Sequence, residues 1–363
     1  MKYIINFLRV LVGVTFIVSG LIKLNDPLGF SFKLEDYFAA EVLGMPFLVP
    51  FALVLAVVVC VFEVVLGVAL LVGYKKNLTL WLLTLMMVFF GFLTFYSAYF
   101  NKVTDCGCFG DAIKFTPWQS FTKDVVLLAL TLIVWWGKKY VHPITKGKLP
   151  VIIVVGSVLL CLGFSHYVYN HLPVVDFRPY KIGANIPEGL AQPMKNFTYH
   201  WTVKLDGKVQ QITNSGQVPK DSKGEYAKDI IEVTTEAPAP LMHDFYIQDE
   251  FRADYLDEFM GDEKLLMVMM YRVDRANLEA LKEIKKVTDK ALKAGYTVIG
   301  LTSSLSEAQK VAKDYELNFD FYYNDATTLK TVIRSNPGLV VLSKGTILDK
   351  KHYNDADKLK IEN

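Results

Sequence analysis

Cysteine and histidine are scarce in this sequence: four cysteines and six histidines occur in 363 residues, and no cysteine follows Cys161. The carboxy-terminal half therefore has no thiol chemistry of its own. No His-x-x-x-His or His-x-x-Glu pairing is present, which argues against a dedicated metal site. Charge of one sign is also lacking, with 39 basic against 37 acidic side chains and a net charge of +2. Without a basic stripe carrying interleaved aromatics, nucleic acid is set aside as a partner. Long uncharged runs are missing after about residue 168, where charge, turn residues and short apolar segments alternate as in a soluble domain.

Before that point apolar runs dominate. A helix needs about 20 mostly apolar residues to cross the hydrocarbon core, and five segments meet or approach this: about 4–22, 47–73, 78–100, 118–137 and 149–168. The first opens with Lys2 like a secretory signal, but no small-residue cleavage pattern follows Lys23-Leu24-Asn25-Asp26-Pro27, so a retained helix is expected. Basic loops stay on the cytoplasmic side. The turn at Tyr74-Lys75-Lys76 and the loop from Lys138 to Lys148 are basic, whereas 23–46 and 101–117 carry mixed charge. The amino terminus is thus expected in the cytoplasm, and residues 169–363 on the other side of a bacterial inner membrane, in the periplasm. Aromatic and charged residues over Phe30–Phe38 suggest a helix lying in the interface. Thr116-Pro117 reads as an N-cap with proline at the first helical position.

Residues 171–188, rich in proline and turn formers, read as an exit linker, and 197–248 as mostly strand and turn. Beyond Lys264 the pattern alternates: strands at 265–270, 296–301 and 319–323, helices at 276–294, 306–315 and 326–334, and a hairpin joining 339–342 to 346–348. This implies a mixed sheet covered by helices. The order resembles the thioredoxin fold over about 240–363. Ser335-Asn336-Pro337-Gly338 is similar to its cis-proline turn, Lys344-Gly345-Thr346-Ile347 to its hairpin, and His243–Ile247 to the leading strand of peroxiredoxin- and TlpA-like members. Where that family carries Cys-x-x-Cys, this chain has Tyr271-Arg272-Val273-Asp274-Arg275-Ala276. Arg272, Asp274, Arg275 and Pro337 then mark a partner-docking face in place of a dithiol, with a solvated charged loop as the plainer alternative.

The residues with most chemistry are Cys106 and Cys108, in Asp105-Cys106-Gly107-Cys108-Phe109-Gly110 between the third and fourth spans. Two cysteines separated by one glycine can close a small strained disulfide, and strain makes the bond labile. A redox pair is the leading reading, with a passive loop clip or metal ligation as alternatives; Asp105 and Asp111 oppose a strongly activated thiolate. Cys60 and Cys161 lie within spans and read as small packing residues. Glu63 is a carboxyl inside a span, which by default marks function or a partner; it is expected to be protonated or paired with Arg9. Lys23, Asp26, Lys123 and Asp124 are expected to cluster at the outer edge, near the cysteine loop.

The Cys106–Gly110 string resembles the corresponding loop of the MauE branch of the DoxX-like membrane proteins. Arg9, Gly13, Gly20, Lys23 and Asp26-Pro27 in the first helix, with Glu63, Gly67 and Gly73 in the second, extend the resemblance over about residues 4–137. It implies a four-helix membrane domain at 1–140, to which a fifth transmembrane helix at 141–170 and a periplasmic domain at 171–363 are added. It further implies redox work with a periplasmic protein partner through Cys106 and Cys108. Glu63 would handle protons if a quinone were the terminal acceptor, although no quinone motif is visible. The rival expectation is a membrane-anchored binding or assembly module whose Cys-x-Cys is structural.

Overall fold

The computed structural model describes residues 1–100, 102, 110, 112, 115–144, 147–191, 198–205, 208–236 and 241–362. The chain divides into two compact units, Met1–Arg178 and Pro179–Asn363.

The first unit is a helical bundle: α1 (Lys2–Asn25), α2 (Pro27–Phe38), α3 (Ala52–Val72), α4 (Lys76–Phe100), α5 (Pro117–Trp136) and α6 (Leu149–Asn170). Five of these helices are long and apolar enough to cross a membrane; α3 reaches that length together with the preceding 3-10 turn, Pro46–Phe51. Helices suit lipid because every backbone polar group inside them is satisfied within the segment. α2 is the short exception, and it begins where Asp26 accepts a hydrogen bond from Gly29 N at 2.8 Å, with Pro27 at the first helical position. It buries Phe30, Leu34, Tyr37 and Phe38 against the bundle, beside α3.

α1 and α3 run close together because glycines face each other. A Cβ on Gly67 would fall 2.7 Å from the Gly13 carbonyl oxygen, and one on Gly20 would fall 2.6 Å from Val64 Cγ2. Small residues at such a contact let dispersion act over the whole helix length, which matters in lipid, where no hydrophobic drive joins the helices. Phe16, Leu70, Leu80, Leu83 and Val134 fill the core between α1, α3, α4 and α5. Cys60 and Cys161 are free and buried together in a second apolar cluster with Leu24, Phe38 and Ala56.

The basic turns meet at one end of this bundle. Lys76 Nζ donates to the carbonyls of Lys138 and Val141 at 2.9 and 3.2 Å, and Ile144 N donates to Val72 O. The end of α1 is tied instead to the segment after α6: Asn25 Nδ2 donates to Val175 O at 2.7 Å and Val175 N returns a bond to Asn25 Oδ1 at 3.1 Å.

The second unit carries two sheets. β1 (Thr198–Leu205), β2 (Lys208–Asn214) and β3 (Asp229–Glu236) form an antiparallel sheet in the order β2-β1-β3, with Trp201, Val203 and Leu205 as its core. β4 (Leu265–Met269), β5 (Thr297–Thr302), β6 (Phe321–Tyr323), β7 (Gly338–Ser343) and β8 (Thr346–His352) form a mixed sheet in the order β6-β5-β4-β7-β8. β4, β5 and β6 are parallel, and β7 and β8 antiparallel. Every residue of β4 is buried, as a strand covered on both faces requires. The helices of this unit are the short α7 (Ile186–Leu190) and α8 (Leu256–Gly261) and the longer α9 (Leu281–Lys293), α10 (Leu305–Asp314) and α11 (Ala326–Val332). α9 starts later than its apolar pattern suggests, because Asn277 first caps the 3-10 turn Leu278–Ala280.

The segment 171–188 is not a free linker. Val175 is bonded to α1, as described, while Gly183 N donates to Ile347 O and Ile347 N to Ala184 O, at 2.8 and 2.9 Å, along the edge of β8. Lys350 Nζ holds Tyr180 O at 2.7 Å in the interior.

Candidate functional site

Cys106 and Cys108, with Asp105, lie outside the described residues; the elements that flank them are described. α4 ends at Phe100, and α5 opens with a reciprocal cap in which Thr116 Oγ1 accepts from Gln119 N at 3.3 Å and Gln119 Oε1 accepts from Thr116 N at 3.0 Å. Gly110 closes the cysteine string with φ +52°, and a Cβ on it would lie 3.6 Å from Ile22 Cγ2, near the end of α1. The string thus ends beside the α1 terminus that carries Lys23, Asn25 and Asp26.

Glu63 is paired with Lys23, not with Arg9 as its place in the sequence suggested. Lys23 Nζ lies 2.5 Å from Glu63 Oε2, and the two side chains are only 3% and 5% exposed. Arg9 instead donates to three backbone carbonyls, those of Leu70 at 2.8 Å, Leu71 at 2.7 Å and His142 at 3.1 Å. The reason is the antiparallel register of α1 and α3: Arg9 reaches the carbonyls left open at the end of α3, whereas Lys23 lies one turn beyond Gly20, which abuts Val64. The Lys23 ammonium is also held over the rings of Phe30 and Phe90, at 5.8 and 5.1 Å.

A second ion pair stands nearby. Lys123 Nζ is 2.6 Å from Asp124 Oδ1, and Asp124 Oδ2 accepts from Thr94 Oγ1 at 3.1 Å. Lys23, Glu63, Lys123 and Asp124 all line one small cavity of about 20 Å³, room for one water. The expected charge cluster is therefore present for Lys23, Lys123 and Asp124 and takes in Glu63, while Asp26 serves as the cap of α2. That Glu63 would join was missed, since a pairing between helices leaves no trace in either helix's own periodicity.

In the second unit Arg272 and Asp274 form an ion pair, with Nη2 to Oδ2 at 2.5 Å and Nε to Oδ1 at 2.9 Å. The hydrogen-bonded guanidinium of Arg272 holds the Asp274 carboxyl below its ordinary value. This turn follows β4 and is joined to the Asn336-Pro337 turn: Asn336 Nδ2 donates to Arg272 O at 2.7 Å, and Asn277 N to Asn336 O at 2.9 Å. The Asn336-Pro337 peptide is cis. Arg272, Asp274 and Arg275 are at least partly exposed around it, whereas Pro337 is buried. Among the described residues no three histidine, cysteine or carboxylate side chains converge as a metal site.

Residues 1–137 match the family described as Methylamine utilisation protein MauE. Together with five helices of membrane-crossing length, this match makes the chain a multi-pass membrane protein with a MauE-type amino-terminal portion. The match takes in 137 of 363 residues. No curated protein matches the chain. Among solved structures, a hypothetical protein SMc02350 from Sinorhizobium meliloti 1021 aligns at 16% identity with a TM-score of 0.23, over 29% of this chain and 63% of that one. The chain thus spans less than two thirds of that protein.

Proposed function

We propose that the protein is a redox-associated component of a bacterial inner membrane that exchanges electrons or disulfides with a periplasmic protein through Cys106 and Cys108. The observation that carries this reading is the pair of cysteines, one glycine apart, in the link between two spans of a MauE-type membrane portion. Sidedness is supported by the gathering of Arg9, Lys76 and the 138–142 turn at the bundle end opposite Asn25 and Val175. With basic loops in the cytoplasm, Gly110 and the exit of the chain after α6 face the periplasm. Glu63, coupled to Lys23, would serve as the proton-handling group.

The second unit is read as a thioredoxin-like domain without its dithiol. The order β6-β5-β4-β7-β8 and the cis Asn336-Pro337 turn next to the loop after β4 favour that reading. Arg272, Asp274 and Arg275 would then dock the partner and raise its effective concentration near the cysteines.

The test is to express Cys106→Ser and Cys108→Ser separately in the native membrane and trap a mixed disulfide on the remaining cysteine. One variant should capture a reproducible periplasmic protein and the pair should lose activity at unchanged membrane level. Full activity of the double serine variant would leave a structural Cys-x-Cys and a scaffold role. An impermeant thiol reagent that labels the reduced cysteines only after the bilayer is opened would refute the orientation.

A further inference from the structure

The helix α9 is sharply two-sided. Leu281, Ile284, Val287 and Ala291 are buried in the core beside the mixed sheet. Lys282, Lys286, Lys290 and Lys293, spaced four, four and three residues apart, fall in one narrow sector on the opposite side, and all four are exposed. The carboxylates of the helix do not cancel this stripe. Asp289 is drawn aside by Asn318 Nδ2 at 2.8 Å and by Lys285, which lies off the stripe, at 3.2 Å. Glu283 accepts from Lys286 at 2.7 Å, in a pair whose lysine remains 73% exposed. Five lysines against two carboxylates leave α9 with a net charge of +3.

The stripe offers charge without shape. It contains neither an arginine fork nor an aromatic ring, the groups that usually anchor a protein interface. A diffuse anionic surface needs neither, because each ammonium near it gains independently. Such a surface is close at hand. Val175 is bonded to Asn25 at the end of the membrane-crossing α1, and the second unit begins four residues later, at Pro179; four residues extend at most about 14 Å.

We propose that the lysine stripe of α9 docks the second unit on the anionic phospholipid headgroups of the membrane that carries the chain. The contact is ammonium to phosphate. The apolar face of α9 stays in the protein core, so the helix rests on the headgroups and does not enter the hydrocarbon. Because α9 follows the Arg272–Asp274 turn in the chain, docking also keeps that turn near the membrane surface. The proposal does not depend on the thiol reading, and the Cys106→Ser/Cys108→Ser variant should dock as the native chain does.

The test uses the full-length protein in nanodiscs of phosphatidylcholine alone or of phosphatidylcholine mixed with phosphatidylglycerol, with no other protein present. Lysines are acetylated to a trace extent and the modified peptides are read by mass spectrometry. The anionic discs should slow modification of Lys282, Lys286, Lys290 and Lys293 by about fivefold, the Boltzmann factor of one ammonium held at an anionic surface. Lys223, exposed after β2, serves as the internal control and should react alike in both discs. Salt at about 1 M, where the screening length falls to about 3 Å, should abolish the difference. As a second readout, amide exchange in α9 should slow in the anionic discs for the native chain and not for the variant with Lys282→Gln, Lys286→Gln, Lys290→Gln and Lys293→Gln together. Equal rates in the two discs overturn the proposal and would leave an acidic protein as the partner of the stripe. Equal slowing at Lys223 overturns it as well, since the effect would then not belong to α9.

Discussion

Removing either partner of the Lys23–Glu63 pair should cost much more than removing both. At 2.5 Å and an effective dielectric near 20, the attraction is about 7 kcal/mol. Desolvation of two side chains that are 3% and 5% exposed consumes several kcal/mol of this for each ion. The net value of the pair is therefore small, but a lone survivor keeps the whole desolvation penalty. Lys23→Met and Glu63→Gln should each destabilise the chain by about 3–5 kcal/mol, whereas the double variant should recover most of the loss. The assay is a double-mutant cycle on thermal or denaturant unfolding of the detergent-solubilised protein, with membrane accumulation as a second readout. A coupling energy of at least about 2 kcal/mol is the expected result, since charged groups in contact couple strongly. Additive single and double variants would refute the reasoning, because they would mean that each group is solvated independently of the other.

Three further outcomes follow from local geometry. Gly67→Ala puts a methyl 2.7 Å from the Gly13 carbonyl, so α1 and α3 must separate; a loss of about 1–3 kcal/mol should appear as a lower unfolding midpoint. Thr116→Ala deletes half of the reciprocal cap on α5 and should cost about 1 kcal/mol in the same assay. Tyr180, 2% exposed and packed on Phe245, has a hydroxyl with no hydrogen-bond partner among the described residues, so Tyr180→Phe should stabilise the second unit by about 1 kcal/mol in denaturant titration. Burial raises the Tyr180 phenol above its ordinary value, so its titration should favour folding below pH of about 10 and lose that contribution above it; the native chain should weaken more steeply there than the phenylalanine variant.

Much of the first unit can be read from the sequence because a lipid-spanning helix announces itself locally. The runs around 4–22, 78–100 and 149–168 correspond to α1, α4 and α6 within a few residues at each end. Thr116-Pro117 likewise identified the start of α5, since a cap is a contact between near neighbours in sequence. What lies between elements was harder to see. Phe30–Phe38 carries aromatic and charged residues that suit an interface as well as a groove, and only the position of α3 decides that Phe30 and Leu34 are covered. Residues 171–188 read as a linker because their hydrogen bonds go to Asn25, Ile347 and Gly345, from about 150 to more than 160 positions away in sequence. The strands around β4, β5 and β7 were visible as short apolar runs, while the brief turn of helix at Ile186–Leu190 was hidden by the proline at 187.

The position of Glu63 follows from the glycine seam more than from any property of the carboxylate. Gly13, Gly20 and Gly67 fix how closely α1 and α3 approach and in which register. Once that register is set, Arg9 can only reach the carbonyl end of α3, and Lys23, one turn past Gly20, is delivered to Glu63. Long basic side chains at helix ends ordinarily extend toward water, yet Phe30 and Phe90 flank the Lys23 ammonium and the residue is buried. The bundle thus keeps a charge at the wall of an apolar cavity, at the end of α1 where the cysteine string terminates.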